Sequence, residues 1–479
     1  MTQEPYPRRT KILATLGPAS NDPVTIEAMV RAGANGFRLN FSHGTEAEHA
    51  ATVRTVRAVA ESLGANVSVL GDLPGPKLRL AELSDGPVDL RAEEELVLTT
   101  SSAARASSPQ SLEVAWPQLP SAVGSGDVVF LADGRIRLRV TEAGGAEVRC
   151  QVEVGGRVAS RQGINLPRVR TALPAVGERD LDWVAFAVEH ELDLLALSFV
   201  RTPADLEPVH TRLRALDSHI PVIAKIEKPE AAENAEAIIK ATVAGIMVAR
   251  GDLGIELPLA TIPVVQKRLL GLAGRFARPA ITATQMLASM VSAPRPTRAE
   301  VSDVANAIYQ GTDALMLSEE TAIGEYPVAA IEAMVAIANA TEADLPYQDW
   351  TVHRVAPEVQ DVAGSVAQAA VAASERLGLA ALVVPTESGR TARLVSAHRP
   401  EVPVLAISPN PATARRLSLL FGVRGAVAPG RGGVLSLLDE CADRAREHGV
   451  ARSGDLIASI AGSPDQGLGT NLLEIHRVP

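Results

Sequence analysis

Pro221–Glu230 reads PVIAKIEKPE and, after a helical interval, Gly245–Gly254 reads GIMVARGDLG. Each is a short apolar run that ends in charge. In the first, Val222, Ile223, Ala224 and Ile226 have the make-up of a buried parallel strand, and Lys225 and Glu227 stand two residues apart near its end. Strand side chains alternate, so both point to one face. In the second, Ile246, Met247 and Val248 lead into Arg250, Gly251 and Asp252, with Gly251 and Gly254 leaving the backbone open to a ligand. Glu227 and Asp252 offer hard oxygen donors, and Mg2+ held by only one or two protein carboxylates is the arrangement that serves phosphate substrates. Taken alone, the stretch reads equally well as a buried Lys–Glu pair steadying a strand end beside an Asp-capped helix.

The neighbouring sequence decides between them. Before it lie KILATLG (Lys11–Gly17), followed by a helix expected to be capped at Ser20 or Asn21, then GFRLNFS (Gly36–Ser42) and VSVLGDL (Val67–Leu73). Around and after it come LLALSFV (Leu194–Val200), VIAKIE, GIMVAR, PAITATQ (Pro279–Gln285) and ALMLS (Ala314–Ser318). Three runs and five make eight, most followed by a helical pattern, which predicts a TIM (β/α)8 barrel. At the carboxyl ends of these runs stand Arg38, Asn40 and Ser42, Asp72, Ser198, Lys225 and Glu227, Asp252, Thr284, and Ser318 with Glu319. Barrel enzymes build their sites at that rim, and so many polar ends are poorly explained as unrelated caps.

The rhythm breaks between Pro74 and Val169, where short alternating segments are punctuated by Gly, Ser and Pro. Asp133-Gly134 between two alternating arms is a hairpin signal, and the stretch predicts a small β-barrel lid inserted after the third strand. From Val362 a helix (Ser365–Leu377) and the runs ALVVP, PVLAIS, GAVA, LIASIA and NLLEIHRV predict an open α/β domain. The expected organisation is barrel, 1–73 and 170–345; lid, 74–169; C-terminal domain, 346–479. In that last domain PTESGRT places Thr386, Ser388, Gly389, Arg390 and Thr391 at a strand-to-helix turn. Such a turn suits a phosphate-sized anion, or is a capped helix with nothing bound.

Composition limits the partners. A net charge of −10 and a pI near 5.5 argue against nucleic acid and against anionic membrane. No run approaches the roughly 18 apolar residues of a membrane span, and the polar start lacks a signal-peptide core. Cys150 and Cys441 sit in no metal-spacing motif, which fits a reduced cytoplasm. Only 6 lysines stand against 40 arginines, so a Lys kept in an apolar or Gly-Pro setting, as Lys77 and Lys225 are, points to a need for the amine itself. No Lys follows a Gly, which excludes a P-loop. A divalent ion on two carboxylates, an Arg, a Lys and bare glycine N–H groups suit a small substrate carrying phosphate and carboxylate. His43, beside Asn40 and Ser42, is either a nucleotide contact or a turn residue.

ATLGPAS, RLNFSHGT, DLPGPKLR, GINLP, AKIEKPEA, MVARGDLGIE, ATQMLASM, APRPTRAEVSDVANAIYQGTDALMLSEETA and TESGRTARLVSAHRP, in this order, resemble the pyruvate kinases across nearly the whole chain. The resemblance implies a barrel, a mobile β lid, a C-terminal regulatory domain and a homotetramer. It also implies phosphate transfer from phosphoenolpyruvate to ADP, giving pyruvate and ATP. By motif, Arg38 would bind the substrate phosphate and Lys225 would stabilise the transferring phosphoryl group. Glu227 and Asp252 would hold Mg2+ or Mn2+, while Gly251, Asp252 and Thr284 would hold the substrate carboxylate, with Thr284 near the site of enol protonation. Arg79 and His43, supported by Asn40, would meet the nucleotide phosphates. Rival readings are a Mg2+-dependent barrel lyase or aldolase working through a pyruvate enolate, and a metabolite sensor without activity.

Several positions depart from the family pattern. Many members place K+ with an Asn, a Ser, an Asp and a Thr, and an acidic residue follows a G-P pair; here Asn40, Ser42 and Asp72 are kept, but Leu73 and Lys77 fill the other two places. An ammonium at Lys77 supplies the same fixed charge and repels a cation a few Å away by about 1 to 4 kcal/mol at effective dielectrics of 80 to 20. The expectation is therefore a K+-independent enzyme. Gln162 stands where a lid Lys is usual, with Arg161 or Arg157 as substitutes, and Glu319 replaces a Gly. The C-terminal loop carries Asp465 and no basic residue, which favours a monophosphate effector such as AMP or a pentose phosphate over a bisphosphate.

Overall fold

The structure, a computed structural model, describes residues 8–76, 78–84, 86–100, 111–132, 134–167, 174–356, 361–428, 434–462 and 469–479. Lys77, Asp133 and Asp465 lie outside the described residues. The first three strands are β1 (Lys11–Thr15), β2 (Gly36–Asn40) and β3 (Ser68–Leu73). The lid follows with β4 (Val88–Leu90), β5 (Glu95–Thr99), β6 (Ser111–Glu113), β7 (Val128–Leu131), β8 (Ile136–Gly144), β9 (Glu147–Val154), β10 (Gly156–Val158) and β11 (Ile164–Asn165). The barrel resumes with β12 (Leu194–Leu197), β13 (Val222–Ile226), β14 (Ile246–Ala249), β15 (Ala280–Ala283) and β16 (Ala314–Leu317). Those eight strands close in the order β1-β16-β15-β14-β13-β12-β3-β2, all parallel, as the sequence predicts.

Two apolar layers make the barrel, and side-chain alternation separates them. Phe37, Leu39, Val69, Leu195, Ala224 and Val248 face outward into the helix layer. Leu13, Leu70, Ala196, Ile223, Met247 and Met316 fill the interior. Two residues further along their strands, on the same face, come Thr15, Asp72, Ser198 and Lys225. The interior is thus greasy below and polar at the carboxyl rim, which is where a site is built. At the opposite end Leu419 of the C-terminal domain joins the interior cluster.

The lid is a six-stranded sheet, β11-β7-β8-β9-β5-β6, with a two-stranded ribbon β10-β4 and its own core around Leu96, Leu98, Leu138 and Val152. The hairpin signal is met: β7 pairs with β8 from Leu131↔Ile136 onward, and Gly134 turns at φ 89°. In the C-terminal domain β17 (Ala381–Pro385), β18 (Val404–Ser408), β19 (Val423–Val427), β20 (Leu456–Gly462) and β21 (Thr470–Arg477) form the sheet β19-β18-β17-β20-β21, parallel except for β21. Helices cover both its faces, leaving one core on each side.

Two helix starts differ from expectation. The cap of the first helix is Asp22, not Ser20 or Asn21: its Oδ1 accepts the Thr25 N–H at 3.0 Å, and Pro23 fills the first helical position. The helix placed at Ser365 begins at Val362, because Asp361 accepts the Gly364 N–H at 2.9 Å. Among the described residues no helix is long and apolar enough to cross a membrane.

Candidate active site

At the rim the strand ends deliver their polar groups into one continuous network. Arg38 Nε donates to Asp72 Oδ2 at 2.6 Å and its NH1 to Thr15 Oγ1 at 3.1 Å. The other oxygen of Asp72, Oδ1, lies 3.1 Å from Lys225 Nζ. Lys225 Nζ also meets Glu227 Oε1 at 2.7 Å and donates to Ser198 Oγ at 2.7 Å. Ser198 Oγ in turn donates to the Leu73 carbonyl at 2.8 Å, and Glu227 Oε2 accepts the Phe199 N–H at 2.9 Å. Asp72, Lys225 and Glu227 are all buried.

Charge balance decides their ionisation. Burial alone would discharge the Lys225 ammonium, but Asp72 and Glu227 outweigh it and raise its pKa above the ordinary lysine value. For Asp72 burial works against the carboxylate, and Lys225 with Arg38 hold it below the usual range. The alternative of a buried Lys–Glu pair is therefore half right: the pair exists, inside a larger set of two cations and two carboxylates. Asp252, next along the rim on the residue after β14's Arg250-Gly251 exit, lies close enough to act on the Lys225 charge.

The third corner is strained backbone. Thr284 sits at φ 68° and Gln285 at φ 53°, a left-handed pair that is rare for a β-branched residue. The Gly251 N–H donates to Thr284 Oγ1 at 2.7 Å, and that hydroxyl donates to the Ala283 carbonyl at 2.6 Å. Arg250 holds the turn: NH2 donates to the Thr284 carbonyl at 2.8 Å, while NH1 pairs with Asp303 at 2.6 Å. Sequence reasoning assigned Arg250 no role, although an Arg between an apolar run and a Gly is a visible signal. It also singled out Glu319, which is exposed; the buried neighbour Glu320 does the structural work, accepting Ser318 N–H at 2.7 Å and Leu287 N–H at 3.0 Å.

Other sequence-derived candidates stand apart from this network. His43 is exposed in the turn after β2, where its N–H donates to the Asn40 carbonyl at 3.2 Å; Asn40 Oδ1 accepts the Ser42 N–H at 3.2 Å. Arg79 NH1 donates to the Arg161 carbonyl at 3.0 Å on the stem of the lid. Gln162 Oε1 accepts the Ala159 N–H at 3.1 Å, and Arg161 pairs with Glu82 at 2.9 Å, both within the lid. In the C-terminal domain Gly389 turns at φ 83° and donates its N–H to Thr386 Oγ1 at 3.0 Å. Arg390 is bonded to Asp361, the Thr391 and Thr470 hydroxyls share a hydrogen bond, and Ser388 is exposed.

Residues 7–331 match the family model for the pyruvate kinase barrel domain, and residues 364–476 match that for the pyruvate kinase alpha/beta domain. The chain belongs to the pyruvate kinase family. It is 39% identical to the pyruvate kinase of Geobacillus stearothermophilus over 473 residues, which is 98% of this chain and 80% of that protein. Coverage is the same for the pyruvate kinase of Staphylococcus aureus strain MRSA252, at 39% identity, and for that of Bacillus licheniformis, at 37%. Pyruvate kinases are phosphotransferases, and membership favours neither the lyase nor the sensor reading.

Proposed function

We propose that this family member moves the phosphoryl group of phosphoenolpyruvate to ADP at the carboxyl rim, in glycolysis in the cytoplasm, without requiring K+ and under control of a phosphorylated effector. The enol C–O–P linkage gives up its phosphorus to an oxygen of the ADP β-phosphate, and the enolate carbon takes up a proton, leaving pyruvate and ATP. The observation that carries the reading is Lys225, held charged between Asp72 and Glu227 with Arg38 bonded to the same Asp72. A dianionic phosphate arriving there meets two cations already fixed in place, which trade a carboxylate partner for it. Thr284 and the Gly251 N–H offer donors to the substrate carboxylate, and Arg79 and His43, with Asn40, serve the nucleotide phosphates once the lid closes.

Glu227 and Asp252 fit Mg2+ or Mn2+. They are hard-oxygen donors at neighbouring strand ends, and among the described residues no group of three or more His, Cys, Asp or Glu could cage an ion, so substrate oxygens would complete the shell. Such an ion, when bound, supplies Lewis-acid charge neutralisation to the transferring phosphoryl group. Independence of K+ is supported by Leu73 and Lys77, which stand where the family's potassium sites carry a Thr and an acidic residue, and Lys77 brings an ammonium there. The loop Thr386–Thr391 would take a monophosphate, and four chains would assemble with the domains laid out as 1–73 with 170–345, 74–169 and 346–479.

The test is ADP-dependent pyruvate formation in K+, Na+ and tetramethylammonium salts. Equal turnover in all three is expected; a many-fold loss without K+ sinks the potassium clause, and no ADP-dependent pyruvate in any salt sinks the whole reading.

A further inference from the structure

Beneath the barrel, where the C-terminal domain docks, four guanidiniums converge. Arg278 precedes β15, Arg354 follows the helix Tyr347–His353, and Arg393 and Arg399 come from the helix Arg390–Ala397 and its end. They wall a crevice of about 10 Å3, with Asp313 its one carboxylate. Asp313 is fully used by Arg399, whose NH1 and NH2 reach its two oxygens at 2.7 and 2.9 Å. Arg354 NH2 donates to the Gly311 carbonyl at 2.8 Å, and Arg393 NH1 to the Ala277 carbonyl at 2.6 Å. The Arg278 side chain has no acceptor among the described residues.

The Nε–H groups of Arg278, Arg354 and Arg399 are buried and unanswered as well. Burial, with the neighbouring guanidiniums, pushes Arg354 down to about 9 and Arg393 to about 10 and lowers Arg278, yet all remain protonated at neutral pH. Such charges cannot be discharged there, and neutral carbonyls satisfy N–H groups without balancing charge.

We propose that this crevice is a binding site for a monatomic anion of the chloride class, which bridges the barrel and the C-terminal domain. An anion accepts from every free N–H and offers no donor to clash with them. The volume is about that of one water-sized particle, which favours a halide over the larger phosphate or sulfate. None of the residues Thr386–Thr391 of the proposed effector loop lines it, although Arg390 lies near enough for its charge to act on Arg278 and Arg393.

Thermal midpoints of the full-length chain in chloride, bromide, sulfate and gluconate at one ionic strength test this. Sulfate stabilises proteins generally and serves as the control. Wild type is expected to gain several degrees, saturably, in chloride and bromide over gluconate, and Arg278→Gln to lose most of that gain while keeping the sulfate response and the turnover. Equal midpoints in chloride and gluconate for wild type, or a full chloride response in both Arg278→Gln and Arg393→Gln, overturns the site. If neither variant folds, wild-type crystals grown in bromide decide: an anomalous peak between the four guanidiniums supports the site, and its absence there overturns it.

Discussion

The two ends of the barrel bury charge in opposite ways. At the rim Lys225 and Arg38 face Asp72 and Glu227, so each cation has a carboxylate and the set is neutral before any substrate arrives. At the floor Arg278, Arg354, Arg393 and Arg399 line a crevice in which Asp313 is the one lining carboxylate, with Asp361 reaching only Arg393 from outside it. A balanced buried network keeps its members charged and aimed, ready to trade one partner for a phosphate. An unbalanced one is a joint whose missing charge must come from elsewhere. Changes at the rim should therefore be read in turnover, and changes at the floor in stability.

The largest separation is expected from Lys225→Met. Removing a preorganised cation from the transferring group lowers kcat by about 100- to 1000-fold or more, measured by ADP-dependent pyruvate formation on protein shown folded by circular dichroism. Near-normal kcat would falsify the role given to Lys225. At the floor, Asp313→Ala leaves Arg399 without its bidentate partner and frees the Ala280 N–H that Asp313 also accepts at 2.9 Å. A loss of about 3–5 kcal/mol is expected from urea unfolding, with kcat of the folded fraction unchanged; lost turnover with intact stability would erase the distinction between the two ends.

His398 gives the contrast a pH signature. It is buried beside Arg354, and burial pushes its imidazole from 6.5 down to about 4. In the unfolded chain the ring takes its proton near 6.5, in the folded chain only near 4, so between those values the unfolded state binds more protons. Its contribution is full above 6.5 and fades as pH falls, by about 3 kcal/mol near pH 4. His398→Asn should flatten the fall of the melting temperature over that window, and an unchanged slope would assign the acid sensitivity to other groups. The smallest effect is expected for Glu319→Gly: the side chain is exposed, so stability should stay within about 1 kcal/mol and kcat/KM within about twofold, since 0.5 kcal/mol is about that factor. A large change would mean that Glu319 reaches the site after all.

Much of the rim was legible in the sequence because strand alternation is a local rule. Once Ile223 is placed inside, Lys225 must follow it, and Asp72 must follow Leu70. Arg250 and Glu320 escaped because their partners, Thr284 and Leu287, are 34 and 33 residues away, and no local pattern shows that a side chain will fasten a distant turn. The cap at Asp22 was missed for a smaller reason: three candidate caps stand in a row, and Pro23 chooses among them by fitting only the first helical position. The lid was recognisable as β from its alternation, but the order β11-β7-β8-β9-β5-β6 depends on pairings that skip along the chain. The floor was the least legible, because its arginines come from widely separated segments and look in sequence like ordinary surface charge.

Leu419 adds a consequence for synthesis on the ribosome. It belongs to the C-terminal domain, yet it packs with Leu13, Leu70, Ile223 and Met316 inside the barrel. The eighth strand is complete at Leu317, but the inner core gains its last member only about a hundred residues later. A nascent barrel would wait, with its lower mouth open, until that leucine has left the exit tunnel.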